Sequence, residues 1–167
     1  TVTHETGHAF GLPDLYDTDP VSPTQGVGEW SLMGSGNYAR PYSPSSFDAW
    51  SLLQLGWVTV DTLVPGQDYT AAPVQESHTI YYAGTSSALY FLLENRGARG
   101  PDTAQMNPAF NHAKAPGLLV WQVDDARVSQ GLPTNRVNTG AEPGVALIQA
   151  DGLNQLMSRT VTNRIAT

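Results

Sequence analysis

Apolar and polar positions are arranged differently on the two sides of Trp57. Ahead of it, Thr1 to Phe10 has the make-up of the last turns of a helix, stopped by Gly11 and by Pro13, which cannot continue the hydrogen-bond ladder. From Leu12 to Ser46 the chain is dense in Gly, Pro, Ser, Asp and Asn with isolated apolar residues, which predicts a long irregular loop. Trp30, Leu32 and Met33 give that loop apolar anchors, so it is expected to be ordered and functional. Ser45 or Ser46 is placed to cap a second helix running through Phe47, Trp50, Leu53 and Gln54 to Leu55, with Gly56 as its stop.

From Trp57 the pattern changes to short runs rich in Val, Ile, Tyr and Leu. Strands are predicted over 57–60, 79–83, 88–94, 118–123 and 145–149. Turn chemistry separates several of them, at Gly97 to Pro101, Lys114 to Gly117 and Gly140 to Gly144. Trp50, Trp57 and Trp121 are the expected core anchors. The polar tail after Asp151 holds the apolar pair Leu153 and Leu156 and no evident final element.

Composition narrows the partners. A length of 167 residues suits one ordinary domain, with two small subdomains as the alternative. The net charge of −7, with only eight Lys and Arg spread along the chain, argues against nucleic acid. No run approaches the roughly 18 apolar residues of a membrane span and no charged-then-apolar leader opens the chain, so a soluble protein is expected. With no cysteine, disulfides and thiolate metal sites are excluded, and any metal must be held by His and carboxylates.

His4-Glu5-Thr6-Gly7-His8 fits H-E-x-x-H. Residues four apart share one helix face, so two imidazoles can reach one metal. Zn²⁺ accepts such nitrogens at about 2.0 to 2.1 Å, and three protein ligands leave a position for water whose pKa falls to about 7. Glu5, next to the first histidine, can take that water's proton and pass it to a leaving amine. Five residues with three fixed positions also arise by chance, so the continuation matters. His4 to Asp14 fits H-E-x-x-H-x-x-G-x-x-[HD], the extended metzincin pattern, in which Gly11 permits a sharp turn and Asp14 becomes the third ligand. Most metzincins have His at that place, and zinc accepts a carboxylate there. Glu29 is the rival third ligand, without the motif spacing. Met33, within Trp30-Ser-Leu-Met-Gly34, suits the methionine turn that lies beneath such a metal.

With these blocks the chain resembles the secreted bacterial metalloproteases of the immune inhibitor A type. The resemblance rests on His4-Glu-Thr-Gly-His-Ala-Phe-Gly-Leu-Pro-Asp-Leu-Tyr-Asp17, on Gly28-Glu-Trp-Ser-Leu-Met-Gly-Ser-Gly36, and on Phe47 through Leu55-Gly-Trp57. It continues less sharply through Tyr90 to Arg96, Gly117 to Asp124 and Gly144 to Gly152. It implies an α+β fold: the C-terminal part of a metzincin-like zinc peptidase catalytic domain over residues 1–57, with the zinc helix end, a Met-turn loop and one further helix, then a β-rich continuation over 58–167. It also implies a secreted enzyme acting on protein or peptide substrates, with a sheet and a helix ahead of the zinc helix. The start at Thr1, just before the motif, therefore leads us to expect a piece of a longer polypeptide, truncated at its C-terminus as well.

Other residues divide between chemistry and architecture. Asp17 and Asp19 are candidate Ca²⁺ ligands, against the favoured reading of Asx turns. Tyr38 lies out of register for an oxyanion-stabilising tyrosine, so packing is expected. His78 and His112 are expected at the surface, and Asp124 and Asp125 to cap a turn, with metal binding as the alternative. The expected function is a zinc endopeptidase with His4, His8 and Asp14 on the metal and Glu5 as base and acid. Its rivals are a non-catalytic fragment or binding module that keeps the zinc motif, and an aminopeptidase-like hydrolase, which would draw a Glu from a later helix.

Overall fold

The computed structural model describes residues 2–40, 42–84, 88–110 and 113–158. Its first element, α1 (Val2–Ala9), carries the H-E-x-x-H motif, and Gly11 follows at φ +91°, a left-handed turn that turns the chain off the helix. The stretch from Leu12 to Asp48 is largely irregular, as its composition predicts. It contains one 3₁₀ turn at Gly28–Trp30 and a four-residue helix, α2 (Gly36–Ala39). Its anchors Trp30, Leu32 and Met33 are buried as expected, and Leu12, Leu15 and Val27 lie in the interior with them.

The next helix, α3 (Ala49–Gln54), starts later than predicted. Its cap is Asp48, whose carboxylate accepts from the Ser51 amide at 2.9 Å. Neither Ser45 nor Ser46 takes that place, and the Ser45 hydroxyl instead donates to the Glu29 carbonyl at 2.7 Å. Gly56, at φ +67°, ends the helix as expected. Trp57 corrects its expectation: 51 % exposed, it lies at the surface, edge-on to Phe10 and Phe47 at 5.9 Å each, whereas Trp50 and Trp121 are buried.

All five predicted strands form, with shifted ends: β1 (Thr59–Thr62), β2 (Thr79–Gly84), β3 (Leu89–Arg96), β4 (Gly117–Asp124) and β5 (Val145–Leu147). They make one sheet in the order β1-β2-β3-β4-β5, parallel between β1 and β2 and antiparallel elsewhere. Strict alternation in β3 buries Tyr90, Leu92, Glu94 and Arg96 on one face. On that face Leu92 pairs with Trp121, which pairs with Leu147, while Tyr90 pairs with Val123, which pairs with Val145. Three helices between or after strands carried no clear sequence signal: α4 (Val74–Ser77), α5 (Asp102–Gln105) and α6 (Asp125–Gly131). Asp124 caps α6 through the amides of Ala126 and Arg127, the capping role expected of it. His78 is exposed as expected, and His112 lies outside the described residues.

The buried face of the sheet packs against α3 and the irregular stretch in one apolar cluster, from Leu12, Leu15 and Trp30 to Trp121, Val145 and Leu156. Among the described residues no helix is long and apolar enough to cross a membrane.

Candidate metal centre

His4 and His8 stand one turn apart on α1, with ring centroids 4.8 Å apart and planes nearly perpendicular. The turn at Gly11 brings Asp14 back to them. Its Oδ1 lies 3.0 Å from His4 Nε2 and 3.4 Å from His8 Nε2. These three are the only such group of His, Asp and Glu among the described residues, with ligand atoms all within 4.8 Å of one another. Glu29 belongs to no such group. Its carbonyl accepts from Ser45 and Lys114.

The ring tautomers follow from the outer contacts. His4 Nδ1 is 2.8 Å from the Leu32 carbonyl and His8 Nδ1 is 2.8 Å from the Leu12 carbonyl. A carbonyl only accepts, so each Nδ1 carries a hydrogen, and a neutral ring then turns a bare Nε2 lone pair toward Asp14. Two lone pairs and a carboxylate oxygen facing one another repel unless a ring proton, as in the 3.0 Å contact of His4 Nε2 with Asp14 Oδ1, or a metal cation lies between them. Tetrahedral ligands about 2.0 to 2.1 Å from an ion are roughly 3.3 Å apart, and the separations of 3.0 and 3.4 Å match that arrangement. The donor set fits zinc.

Asp14 is buried. Burial raises its pKa, but hydrogen bonds from His4, Asn135 and Tyr16 and the charge of His8 outweigh it, so the carboxyl is held below its ordinary value. His4 is pushed up, by the Asp14 hydrogen bond first, against burial. Tyr16 stacks beside His4 with centroids 6.4 Å apart, and burial together with Asp14 pushes its phenol up to about 12, so it stays a donor to Asp14. Glu5 is exposed on α1, between the two histidines in sequence.

Met33 is fully buried, and it presses so closely on Gly7, which faces inward between the two histidines, that a methyl group there would collide with the Met33 sulfur. Asp17 and Asp19 form the turn network favoured in the sequence. Asp17 accepts from the amides of Asp19 at 2.9 Å, Thr24 at 3.1 Å and Gly140 at 3.2 Å, and Asp19 accepts from Val21 at 2.8 Å. Tyr38 is 66 % exposed, so the packing expected of it does not occur.

Sequence reasoning missed two side chains at Asp14. Tyr16 lies two residues along in the motif block and could have been found there. Asn135 lies 121 residues away in a polar turn, without local signal, and its carboxamide holds the backbone and the side chain of Asp14.

Residues 1–58 match the immune inhibitor A peptidase M6 catalytic domain. The pre-pro-metalloprotease PrtV of Vibrio cholerae serotype O1 is 41 % identical over 51 residues, covering 29 % of this chain and 6 % of that protein. Immune inhibitor A of Bacillus thuringiensis subsp. alesti is 43 % identical over 47 residues, covering 26 % of this chain and 7 % of that protein. The chain thus spans less than a tenth of either relative's length in these matches. No solved structure matches it.

Proposed function

We propose, from the premise that residues 1–58 are a segment of the immune inhibitor A peptidase M6 catalytic domain, that this chain carries the catalytic site of a zinc-dependent endopeptidase. The observation that carries the proposal is the convergence of His4 Nε2, His8 Nε2 and Asp14 Oδ1, with both Nδ1 hydrogens already committed to backbone carbonyls. Zinc bound there supplies a Lewis acid that polarises a peptide carbonyl and acidifies water. Glu5 is the general base: its carboxylate takes a proton from water as the water oxygen bonds to the carbonyl carbon. It returns that proton to the amine nitrogen as the C–N bond breaks.

Asp14 is preferred to Glu29 as third ligand because it belongs to the converging trio. Met33 supports α1 from below as a methionine turn would. Residues 1–57 hold the chemistry in this reading, and 58–167 form the β-rich support. Protein or peptide substrates and a secreted location belong to the same proposal and rest on the family resemblance. Calcium is left out of it, since the Asp17 oxygens are occupied by backbone amides.

The test compares the full-length protein with E5A for zinc content and cleavage of denatured casein. E5A is expected to keep its zinc and lose activity by about 10²- to 10⁴-fold. Cleavage by E5A at the parent rate would remove Glu5 as the base. D14A should lower zinc occupancy, and an unchanged occupancy would move the third ligand to Glu29. A parent protein that binds zinc and cleaves nothing would support the non-catalytic reading.

A further inference from the structure

The side of Asp14 facing away from the histidines is held by a segment no motif marks. Asp14 Oδ2 accepts from Asn135 Nδ2 at 2.7 Å, and Asn135 Oδ1 accepts from the Asp14 amide at 2.7 Å. One carboxamide therefore grips both the backbone and the side chain of the same residue. Asn135 sits at φ +55°, at the end of the 3₁₀ turn Leu132–Thr134 that follows α6. Asn enters this left-handed conformation more readily than other residues with a side chain. The residues beyond it hold the rest of the same loop. Asn138 donates to the Leu15 carbonyl at 2.8 Å, Thr139 and Thr18 share a hydroxyl contact at 2.5 Å, and the Gly140 amide donates to Asp17 at 3.2 Å. Asn138 is in turn locked to Val145 of β5 through both its amide and its carbonyl.

We propose that Asn135 is a positioning residue of the metal centre. Its carboxamide fixes the rotation of the Asp14 carboxylate so that Oδ1 points at the two Nε2 atoms. This rests on the assignment of Asp14 as a ligand. An aspartate on a loop can rotate about both its side-chain bonds, and a site assembled from freely rotating ligands loses affinity to their ordering. Partners that orient a ligand are commonly worth about 10- to 100-fold in metal affinity. Here the turn at residues 131–140 supplies that order from the far end of the chain, braced on the sheet.

The experiment measures zinc affinity by competition with a chelator of known affinity in full-length protein, for the parent, N135G, D14A and the double variant. Glycine keeps the left-handed backbone and removes only the carboxamide. Melting of each zinc-free protein separates loss of metal from loss of fold. N135G is expected to bind zinc about 10- to 100-fold more weakly while remaining folded without metal. In the D14A background the same substitution should cost nothing further, because the group it orients is gone. Zinc affinity of N135G within about twofold of the parent overturns the proposal, as does a loss that adds in full to that of D14A. An unfolded zinc-free N135G also overturns it, since Asn135 would then hold the fold rather than aim a ligand. If D14A itself binds zinc like the parent, the ligand assignment fails and the role of Asn135 falls with it. D14A weakened with N135G unchanged sinks this inference alone.

Discussion

Between Leu12 and Asp48 the described residues form two short helical turns and no strand, whereas from Thr59 to Leu147 the chain builds a five-stranded sheet. Yet Asp14 comes from the irregular stretch and meets His4 and His8 of α1 just ahead of it, while the sheet supplies no member of the trio. A sheet satisfies its own backbone groups, while a buried loop must borrow partners. The loans are specific. Arg96 of β3 donates to the carbonyls of Trp30 at 3.0 Å and Phe47 at 2.9 Å, while bound to Glu94 at 2.6 Å. Lys114 reaches the Glu29 carbonyl and the Ser45 hydroxyl, Gln105 donates to the Ser43 carbonyl, and Asp102 accepts from the Ser46 amide. Order in the irregular segment is thus imposed by side chains from outside it.

If that difference is real, substitutions should matter according to whether their contacts cross between the two regions. Arg96 should matter most. R96M leaves the buried Glu94 without its cation, with only the Trp121 indole donating to it, and frees the carbonyls of Trp30 and Phe47, so we expect about 3 to 5 kcal/mol of destabilisation in urea titration. A loss under about 1 kcal/mol would show that the loop orders itself, since that is the range of an exposed pair.

Lys114 gives a smaller effect that depends on pH. Burial first, then the charge of Arg96, pulls its pKa down to about 7, with Asp102 and Glu29 opposing and Arg40 adding to the decrease. The unfolded chain keeps this proton up to the ordinary lysine range, while the folded chain releases it near 7. Between those values the unfolded state binds more protons, so stability should rise with pH from about 7 upward. Below that, both states are protonated and this contribution flattens. Urea midpoints of the parent should therefore climb relative to those of K114M between pH 7 and pH 9.5, and parallel midpoints would count against the assigned pKa.

The smallest effect should come from an ion pair that stays within the β-rich region. Arg99 and Glu76 meet at 2.6 Å, but their side chains are 58 % and 54 % exposed. R99A should cost under about 1 kcal/mol and leave zinc affinity unchanged. An effect near that of R96M would show that crossing between regions is not what counts.

What could be read from the sequence was local. The metal motif lies within eleven consecutive residues, and each strand announces itself by its own β-branched and aromatic run, so these emerged with only their ends misplaced. The misreadings came from competition for partners. Ser45 looks like a helix cap, but Glu29 and Lys114 claim its hydroxyl, and Asp48 caps in its place. Trp57 has core chemistry, but it closes the helix at the rim, where two phenylalanines cover only part of it. Glu94 and Arg96 share the parity of Tyr90 and Leu92, so the alternation could have placed them inside. Their charges argue against that reading, because burial is tolerated only for partners that the linear sequence does not reveal.

The contact between Asp14 and Asn135 also has a consequence in time. A ribosome delivers Asp14 long before Asn135, because 121 residues separate them. The helix with both histidines is therefore complete early, while the clamp on the aspartate must wait for the later chain to be made and folded. Closing so long a loop is among the slower steps available to a folding chain. During synthesis the two histidines are thus in place before the side chain that grips Asp14 exists.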